Sequence, residues 1–202
     1  MTGLRTREAI LAAAAELYAD RGHDAVSMRD VAAAVAIQPA SLYHHFKDKD
    51  ALVLAALERV LAAKAAVGRD HLLDERPPIQ RLDAFLDGLV RLLFEDPIFG
   101  RLAVRGLIDR NVEREAYLAK TVVDSIFAPL SQLISELTDA VDPDLTAASI
   151  LSLVTGHYLL ASIFVHLPRE LQAHNQVDAV SAYIQNFVRR LLGLPSRLET
   201  AP

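Results

Sequence analysis

The stretch of residues 27–46 constrains the fold of this chain more than any other part of the sequence, because it holds two very short helical patterns joined by a tight turn. Ser27 is a good helix N-cap and Asp30 stands at the third helical position, so together they form a capping box. Pro39 suits the first position of a second helix, where its missing N–H costs nothing. Two short helices around a turn at residues 36–38 are typical of a helix-turn-helix.

The second of these helices has one apolar side and one free side. At about 100° per residue, Leu42 and Phe46 share one side and predict the buried face. The other side carries small or polar residues, namely Ala40, Ser41, Tyr43, His44 and Lys47. Small residues let a helix approach base edges closely, whereas Tyr hydroxyls and Lys ammonium groups reach phosphate oxygens. The pattern indicates a helix that enters the DNA major groove.

Residues 41–52 read Ser-Leu-Tyr-His-His-Phe-Lys-Asp-Lys-Asp-Ala-Leu, and residues 7–14 and 17–22 form an amphipathic helix that ends in a glycine. The first of these segments resembles the pattern Thr/Ser-Leu-Tyr-x-His/Tyr-Phe-x-x-Lys-x-x-Leu of the tetracycline-repressor (TetR) family of transcriptional regulators. The two upstream segments are similar to that family's first helix and its terminal glycine. The resemblance covers roughly the first quarter of the chain.

The resemblance implies a set of DNA-binding residues at the matching positions. Phosphate contacts are expected from Ser27, Tyr43, His44 and Lys49. Base-edge contacts are expected from Arg29, Gln38, Ala40 and Ser41. Two positions depart from the family's pattern, since Ala36 replaces the turn glycine and Gln38 replaces the usual serine cap. A left-handed Ala36 would cost about 1 kcal/mol.

A purely structural role remains the alternative for two aromatic side chains of this stretch. Tyr43 and His45 could simply pack within a small helical bundle. His45 points near the side of Leu42 and Phe46, so we expect it to brace the helix rather than contact DNA.

The charge of the chain limits how it could bind DNA. The net charge is −5, and in the first fifty residues acidic residues slightly outnumber basic ones, so there is no broad basic patch. Affinity for DNA must then rest on a few placed cations and on helix N-termini, which attract phosphate. We expect non-specific binding to be weak at physiological salt.

Beyond residue 52 the apolar period stays helical, which predicts an all-α chain with two domains. The expected domains are a helix-turn-helix DNA-binding domain at residues 1–50 and an effector-binding and dimerisation domain at residues 51–202. The predicted helices of the second domain are 47–67, 79–95, 97–109, 113–141, 143–166 and 177–192, with a polar link at 68–78. The absence of cysteine and of a signal-peptide pattern fits a cytoplasmic protein.

The most apolar segment, residues 150–167, is long enough to raise the question of a membrane span. Its serines, histidines and Thr155 favour a buried helix of a bundle, so no membrane partner is expected. In the resembling family the last two long helices form a four-helix dimer interface. A homodimer is also expected because one two-turn recognition helix reaches only a few base pairs.

The middle helices are the expected place for a small-molecule effector. The candidate ligand-binding residues are Leu89, Phe99, Leu102, Tyr117, Thr155, His157 and Tyr158. For the apolar ones an ordinary core role is the favoured alternative, whereas a buried His or Tyr needs a polar partner, which a pocket could supply. The ladder of Arg101, Arg105 and Asp109 is expected to face solvent. The effector would be apolar or amphipathic.

The sequence lacks the signatures of an enzyme. There is no Gly-rich phosphate loop, no cysteine nucleophile, no nucleophile elbow and no metal-ligand spacing, so neither a catalytic site, a metal nor a cofactor is expected. The sequence therefore predicts a ligand-responsive transcriptional regulator, most simply a repressor released from a palindromic operator by its effector. The alternative is a helical dimer that binds small molecules without binding DNA.

Overall fold

The structure of the protein is a computed structural model that describes residues 2–109, 111–168 and 176–196. These residues form ten α-helices and one π-helical segment and contain no strand, which confirms the predicted all-α class. The helices are α1 Thr2–Arg21, α2 Met28–Ala34, α3 Pro39–Tyr43, α4 Lys49–Leu73, α5 Pro78–Glu95, α6 Pro97–Ile108, α7 Val112–Tyr117, the π-helical segment Leu118–Val123, α8 Asp124–Leu137, α9 Pro143–Phe164 and α10 Val177–Leu191.

The chain divides into two compact units. The first unit comprises Met1–Lys64 and Pro97–Ala119, and the second comprises Ala65–Asp96 and Lys120–Pro202. The first unit thus contains the predicted DNA-binding domain together with two helices, α6 and α7, that come later in the chain. The domain boundary at residue 50 stays a prediction.

The first unit is built around α1, which packs against α2 and α6. Its core includes Ile10, Val31 and Leu42, each fully buried. Leu42 and Phe46 are 0% and 5% exposed, as the helical period predicts. The apolar face of α3 therefore holds this short helix in place and leaves its other face to solvent.

The second unit is a bundle in which α5 packs against α8, α9 and α10. Its core side chains include Phe85, Leu130, Ile150 and Ile184. A polar network is buried beside them, where Arg189 of α10 donates through Nε to Asp83 of α5 at 3.0 Å and through Nη2 to the second carboxylate oxygen. This buried ion pair joins α5 to α10, the last described helix of the unit.

The predicted polar link at residues 68–78 is wrong over its first half, because α4 runs on to Leu73. Leu72 is fully buried, so the apolar period continues past the predicted end of the helix. Gly68 lies within the helix, and a Cβ there would make only an ordinary van der Waals contact with Phe85, at 3.6 Å. Arg81 donates from Nη1 to the carbonyl of Leu72 at 3.0 Å and so satisfies a terminal acceptor.

The single helix predicted at residues 113–141 is also wrong, because three elements replace it. Asn111 caps α7 by accepting from the N–H of Arg114 at 3.0 Å. The π-helical segment follows directly, and α8 ends where Thr138 takes an extended conformation. The period of apolar residues could not reveal the π-helical turn, because one extra residue per turn still leaves a helical pattern.

Candidate nucleic-acid interface

Two reciprocal hydrogen bonds fix the start of α2. The hydroxyl of Ser27 accepts from the N–H of Asp30 at 3.2 Å, and the Asp30 carboxylate accepts from the N–H of Ser27 at 2.7 Å. These bonds confirm the predicted capping box. The hydrogen bonds from Ser27 hold the pKa of Asp30 below its usual range, so the cap persists at neutral pH and is lost as acid protonates the carboxylate.

The turn between α2 and α3 depends on a left-handed residue. Ala36 has φ +54°, and in the described part of the chain no other residue except glycine has a positive φ. The N–H groups of Ala36 and Ile37 donate back to Ala33 and Ala32 at 3.1 and 3.0 Å. The turn geometry expected for glycine is therefore retained with alanine in place.

Replacing Ala36 with glycine is expected to raise the free energy of unfolding by up to about 1 kcal/mol, because glycine removes the Cβ strain of the left-handed conformation. Ala33→Gly on the exposed side of α2 is the matched control, and there glycine should cost about 0.5–1 kcal/mol. Urea unfolding of both variants measures the difference. Destabilisation by both changes would contradict the strain assigned to Ala36.

The exposed face of α3 presents the residues predicted to read DNA. Pro39 occupies the first helical position, and Gln38 precedes it in an extended conformation without a side-chain capping bond. The Gln38 amide is exposed and so is open to another partner. Ala40, Ser41, Tyr43 and His44 are exposed on the helix, and Tyr43 is 56% accessible despite its large ring.

The remaining members of the set lie at the starts of α2 and α4. Ser27 and Arg29 are exposed, and Lys49 is half-buried. The ammonium of Lys49 lowers the pKa of Asp30, although less than the hydrogen bonds from Ser27 do, so its charge lies close to the α2 cap. Lys47 was left out of the predicted set, yet its side chain is 89% exposed at the end of the same surface. The helical period, which places Lys47 on the free side with Tyr43 and His44, was the signal for including it.

His45 is half-buried and lies 6.5 Å from Phe46, measured between ring centroids. The guanidinium of Arg7 lies over the ring of Phe46, 5.4 Å from its centroid. This packing agrees with the bracing role expected for His45. The DNA-binding set thus lies on the solvent-facing residues of α2, α3 and the start of α4, while its contacts with DNA stay a prediction.

The predicted solvent-facing ladder of α6 is exposed at Arg101 and Asp109, but the prediction is wrong for Arg105. Arg105 is half-buried and donates from Nε to the carbonyl of Ala19 and from Nη2 to the carbonyl of Asp20, both at 3.0 Å. Arg101 pairs with the Asp20 carboxylate at 3.0 Å. Two arginines of α6 therefore satisfy the C-terminal end of α1, and no local pattern in the sequence could reveal this long-range contact.

A second polar cluster joins the loop after α1 to α4 and α7. His23 Nδ1 lies 2.9 Å from Asp24, and Nε2 lies 3.0 Å from Asp50. The same Asp50 oxygen accepts from Nη1 of the buried Arg114 at 3.3 Å. The hydrogen bond between His23 Nδ1 and Asp24, together with the charge of the His23 ring, holds the pKa of Asp24 below its usual range. Asp50 at the start of α4 is therefore contacted both by His23 of the loop and by Arg114 of α7.

The predicted ligand-binding residues are divided between the two units. Phe99, Leu102 and Tyr117 belong to the first unit, and Leu89, Thr155, His157 and Tyr158 belong to the second. Phe99 and Leu102 are buried, whereas the other five are half-buried.

Two of the predicted ligand-binding residues, His157 and Tyr158, each contact an aromatic ring of another helix. His157 lies 6.0 Å from Tyr183, and Tyr158 lies 5.6 Å from Phe94 in an edge-on contact. A polar groove of about 550 Å³ on α5 and α10 is lined by other residues, including Asp87 and Arg91. The ligand-binding role of the set stays a prediction.

Comparisons with known proteins agree with the helix-turn-helix. The profile of the family described as "Bacterial regulatory proteins, tetR family" matches residues 10–56. The regulator UidR of Escherichia coli K12 is 43% identical over 61 residues, which are 28% of this chain and 31% of UidR. The chain thus spans less than a third of that relative's length. The regulator Mb3439c of Mycobacterium bovis is 32% identical over 142 residues, covering 67% of this chain and 58% of Mb3439c.

A solved structure extends the similarity beyond the N-terminal helices. The structure of AibR in complex with isovaleryl coenzyme A and operator DNA superposes with a TM-score of 0.62 at 25% identity, covering 76% of this chain and 86% of that chain. The relatives are HTH-type regulators and not enzymes, in agreement with the sequence prediction.

Proposed function

Because the chain belongs to the TetR family of bacterial regulatory proteins, we propose that it is a ligand-responsive transcriptional regulator, acting as a repressor on a palindromic operator. The observation that supports this most is the exposed face of α3, held by the buried Leu42 and Phe46. One face of this helix combines small residues, an exposed tyrosine and a Gln38 amide that makes no capping hydrogen bond. This combination is not expected on a helix face that only contacts water. As a DNA-binding protein it would act in the cytoplasm.

A gel-shift experiment with the DNA that flanks the protein's own gene tests the proposal. A retarded, salt-sensitive complex that survives excess non-specific DNA supports a regulator. No complex at any salt concentration would instead support a helical dimer that binds small molecules without DNA. Transcription measured from the same DNA separates a repressor from an activator.

Lys49→Ala and Tyr43→Phe are expected to weaken binding about equally on all DNA sequences. Loss of the Lys49 contact should also reduce the salt slope by roughly one unit, since one phosphate contact is lost. Gln38→Ala should instead alter base preference, by about 1–3 kcal/mol at the contacted position. Lys64→Ala, on the same helix as Lys49 but outside the set, is the control. An unchanged salt slope for Lys49→Ala would contradict its phosphate contact.

The homodimer is proposed to form through α9 and α10. Within the described residues α9 is the one helix long and apolar enough to span a membrane, with a mean hydropathy of 1.6, yet only 17% of its most apolar stretch is buried within the chain. Large apolar side chains are exposed on the two helices: Leu159, Leu160, Ile163, Tyr183, Phe187 and Leu191. A patch of this kind marks an interaction surface, and a second copy of the chain would cover it.

The effector is proposed to be an apolar or amphipathic small molecule. The structure of AibR contains both isovaleryl coenzyme A and operator DNA. It therefore supports the idea that one protein of this fold binds an amphipathic small molecule as well as DNA. In this chain α4 begins at Lys49, directly after the recognition helix, and continues without a break to Leu73 in the second unit. A ligand that displaces the far end of α4 would shift the spacing of two recognition helices on DNA.

Linkage gives this switch a quantitative test. An effector that weakens operator binding must itself bind more weakly when operator is present, and by the same factor. Thermal-shift screening of fatty acids and their coenzyme A esters supplies the probe, and its affinity is then measured with and without operator DNA. Equal affinities would show that the probe's site does not control DNA binding.

A further inference from the structure

The first unit contains a small cavity bounded by residues of α1, α4, α6 and α7. Val53, Leu57 and Leu102 form its apolar lining, and polar groups come from Tyr18, His23, Arg105, Asp109 and Arg114. The cavity has a volume of about 20 Å³. A polar cavity needs roughly 10–15 Å³ to hold a water molecule, so this one has room for a single water and for no larger ligand.

Besides His23 Nε2, two buried polar atoms of this lining have no hydrogen-bond partner within the protein. Tyr18 is 3% exposed and Arg114 is 7% exposed, and both the Tyr18 hydroxyl and Arg114 Nε are inaccessible to solvent and unpaired. A buried donor without a partner costs more free energy than an ordinary hydrogen bond contributes. Native proteins leave few such groups, and two in one cavity point to a shared partner.

Burial and a neighbouring carboxylate keep the Tyr18 phenol in the form that donates a hydrogen bond. Arg114 Nη1 donates to Asp50 at 3.3 Å, whereas Nε is a donor of the same guanidinium that is buried without a partner. Burial raises the pKa of Tyr18, and the Asp50 carboxylate raises it further against the opposing effect of Arg114, so the phenol keeps its proton. His23 stacks on Tyr18 at 6.4 Å, and its Nε2 approaches Asp50 without the alignment of a hydrogen bond.

We propose that the cavity binds one ordered water molecule, which accepts a hydrogen bond from Arg114 Nε and forms a second with the Tyr18 hydroxyl. Buried waters make about three hydrogen bonds, and His23 Nε2 offers the third position. The water joins α1 to α7 at a site that contains no residue of the DNA-binding set and shares only Leu102 with the predicted ligand-binding residues. The proposal therefore does not depend on the proposed function.

Removal of one hydroxyl distinguishes a hydrated cavity from a dry one. With the water in place, Tyr18→Phe should raise the unfolding equilibrium constant about fivefold, the size of one ordinary hydrogen bond. In a dry cavity the same change removes an unpaired hydroxyl, so the constant would fall or stay unchanged, which would overturn the proposal. Tyr43→Phe, which removes an exposed phenol hydroxyl from the same unit, is the control and should leave the constant unchanged.

Arg114→Lys tests the other half of the bridge, because lysine keeps the charge that faces Asp50 but has no N–H at the Nε position. If one water bridges the two groups, Tyr18→Phe should cost less in the Arg114→Lys background than in the native chain. Additive effects would overturn the proposal. A high-resolution crystal structure is the direct measurement, with a water peak expected about 2.5–3.2 Å from both Tyr18 Oη and Arg114 Nε; an empty cavity would overturn the proposal.

Discussion

Replacing Asp83 with alanine is expected to lower the free energy of unfolding by about 3–5 kcal/mol, because the change leaves a buried guanidinium without its counter-ion. Arg189 is 5% exposed and directs two donors at Asp83. The bond from Arg189 Nη1 to the carbonyl of Pro195, at 3.0 Å, would remain but supplies no counter-charge. Urea unfolding monitored by circular dichroism measures the loss.

Asp178→Ala is the matched control for this prediction. Asp178 also pairs with an arginine, Arg91, at 2.5 Å, but its side chain is 85% exposed and that of Arg91 is 41% exposed. An exposed pair contributes about 0–1 kcal/mol, so the control should change stability little. Equal losses for the two variants would contradict the importance given to burial.

A double substitution separates the worth of the buried pair from the cost of breaking it. Asp83→Leu combined with Arg189→Met removes both charges and keeps an apolar filling. Replacing a whole buried ion pair in this way is often neutral or stabilising. A double variant as unstable as Asp83→Ala would show that the ion pair contributes net stability, beyond neutralising its own two buried charges.

Phe187→Asp is expected to convert the proposed dimer to monomers. Phe187 is 44% exposed in the single chain, stacked 6.2 Å from Tyr183, so a charge there is harmless until a second subunit covers it. Loss of an aromatic anchor from an interface costs about 2–4 kcal/mol of association free energy. Sedimentation measures the dimer, and operator affinity should fall with it because two half-sites can no longer be bound together.

Two further variants sharpen this test. Ala182→Asp places the same charge about 140° around α10 from Phe187, on an exposed position, and should leave the dimer intact. At Gly156 a Cβ would meet nothing within 4 Å inside the chain, so Gly156→Asp would disturb only a partner subunit. A native chain that sediments as a stable monomer at micromolar concentration would exclude the dimer itself.

The elements that sequence reasoning placed correctly are those fixed by neighbouring residues. Ser27 and Asp30 are three residues apart, and Pro39 sets its own φ, so their roles follow from local geometry alone. Even the strain at Ala36 follows from the turn in which it stands. The fold class and the exposed face of α3 were therefore predictable.

The elements that sequence reasoning missed depend on partners far along the chain. Arg105 binds carbonyls more than eighty residues away, and Asp83 finds Arg189 across 106 residues. A charged residue on a helix is expected to face solvent unless a distant partner is known. The partial burial of Arg105 in α6 was therefore not predicted. The extension of α4 has the same cause, since Leu72 is buried by the second unit and the polar residues around it conceal that burial.

The two-segment make-up of the first unit limits how this protein can be recombined with its relatives. Its residues come from Met1–Lys64 and from Pro97–Ala119, and Arg105 of the later segment holds the end of α1. A chimaera that exchanged only the N-terminal segment would bring in an α1 whose last carbonyls face an unfamiliar α6. Transplanting the DNA specificity of this chain onto another regulator, or the reverse, thus calls for both segments or for exchange of the exposed α2 and α3 side chains alone.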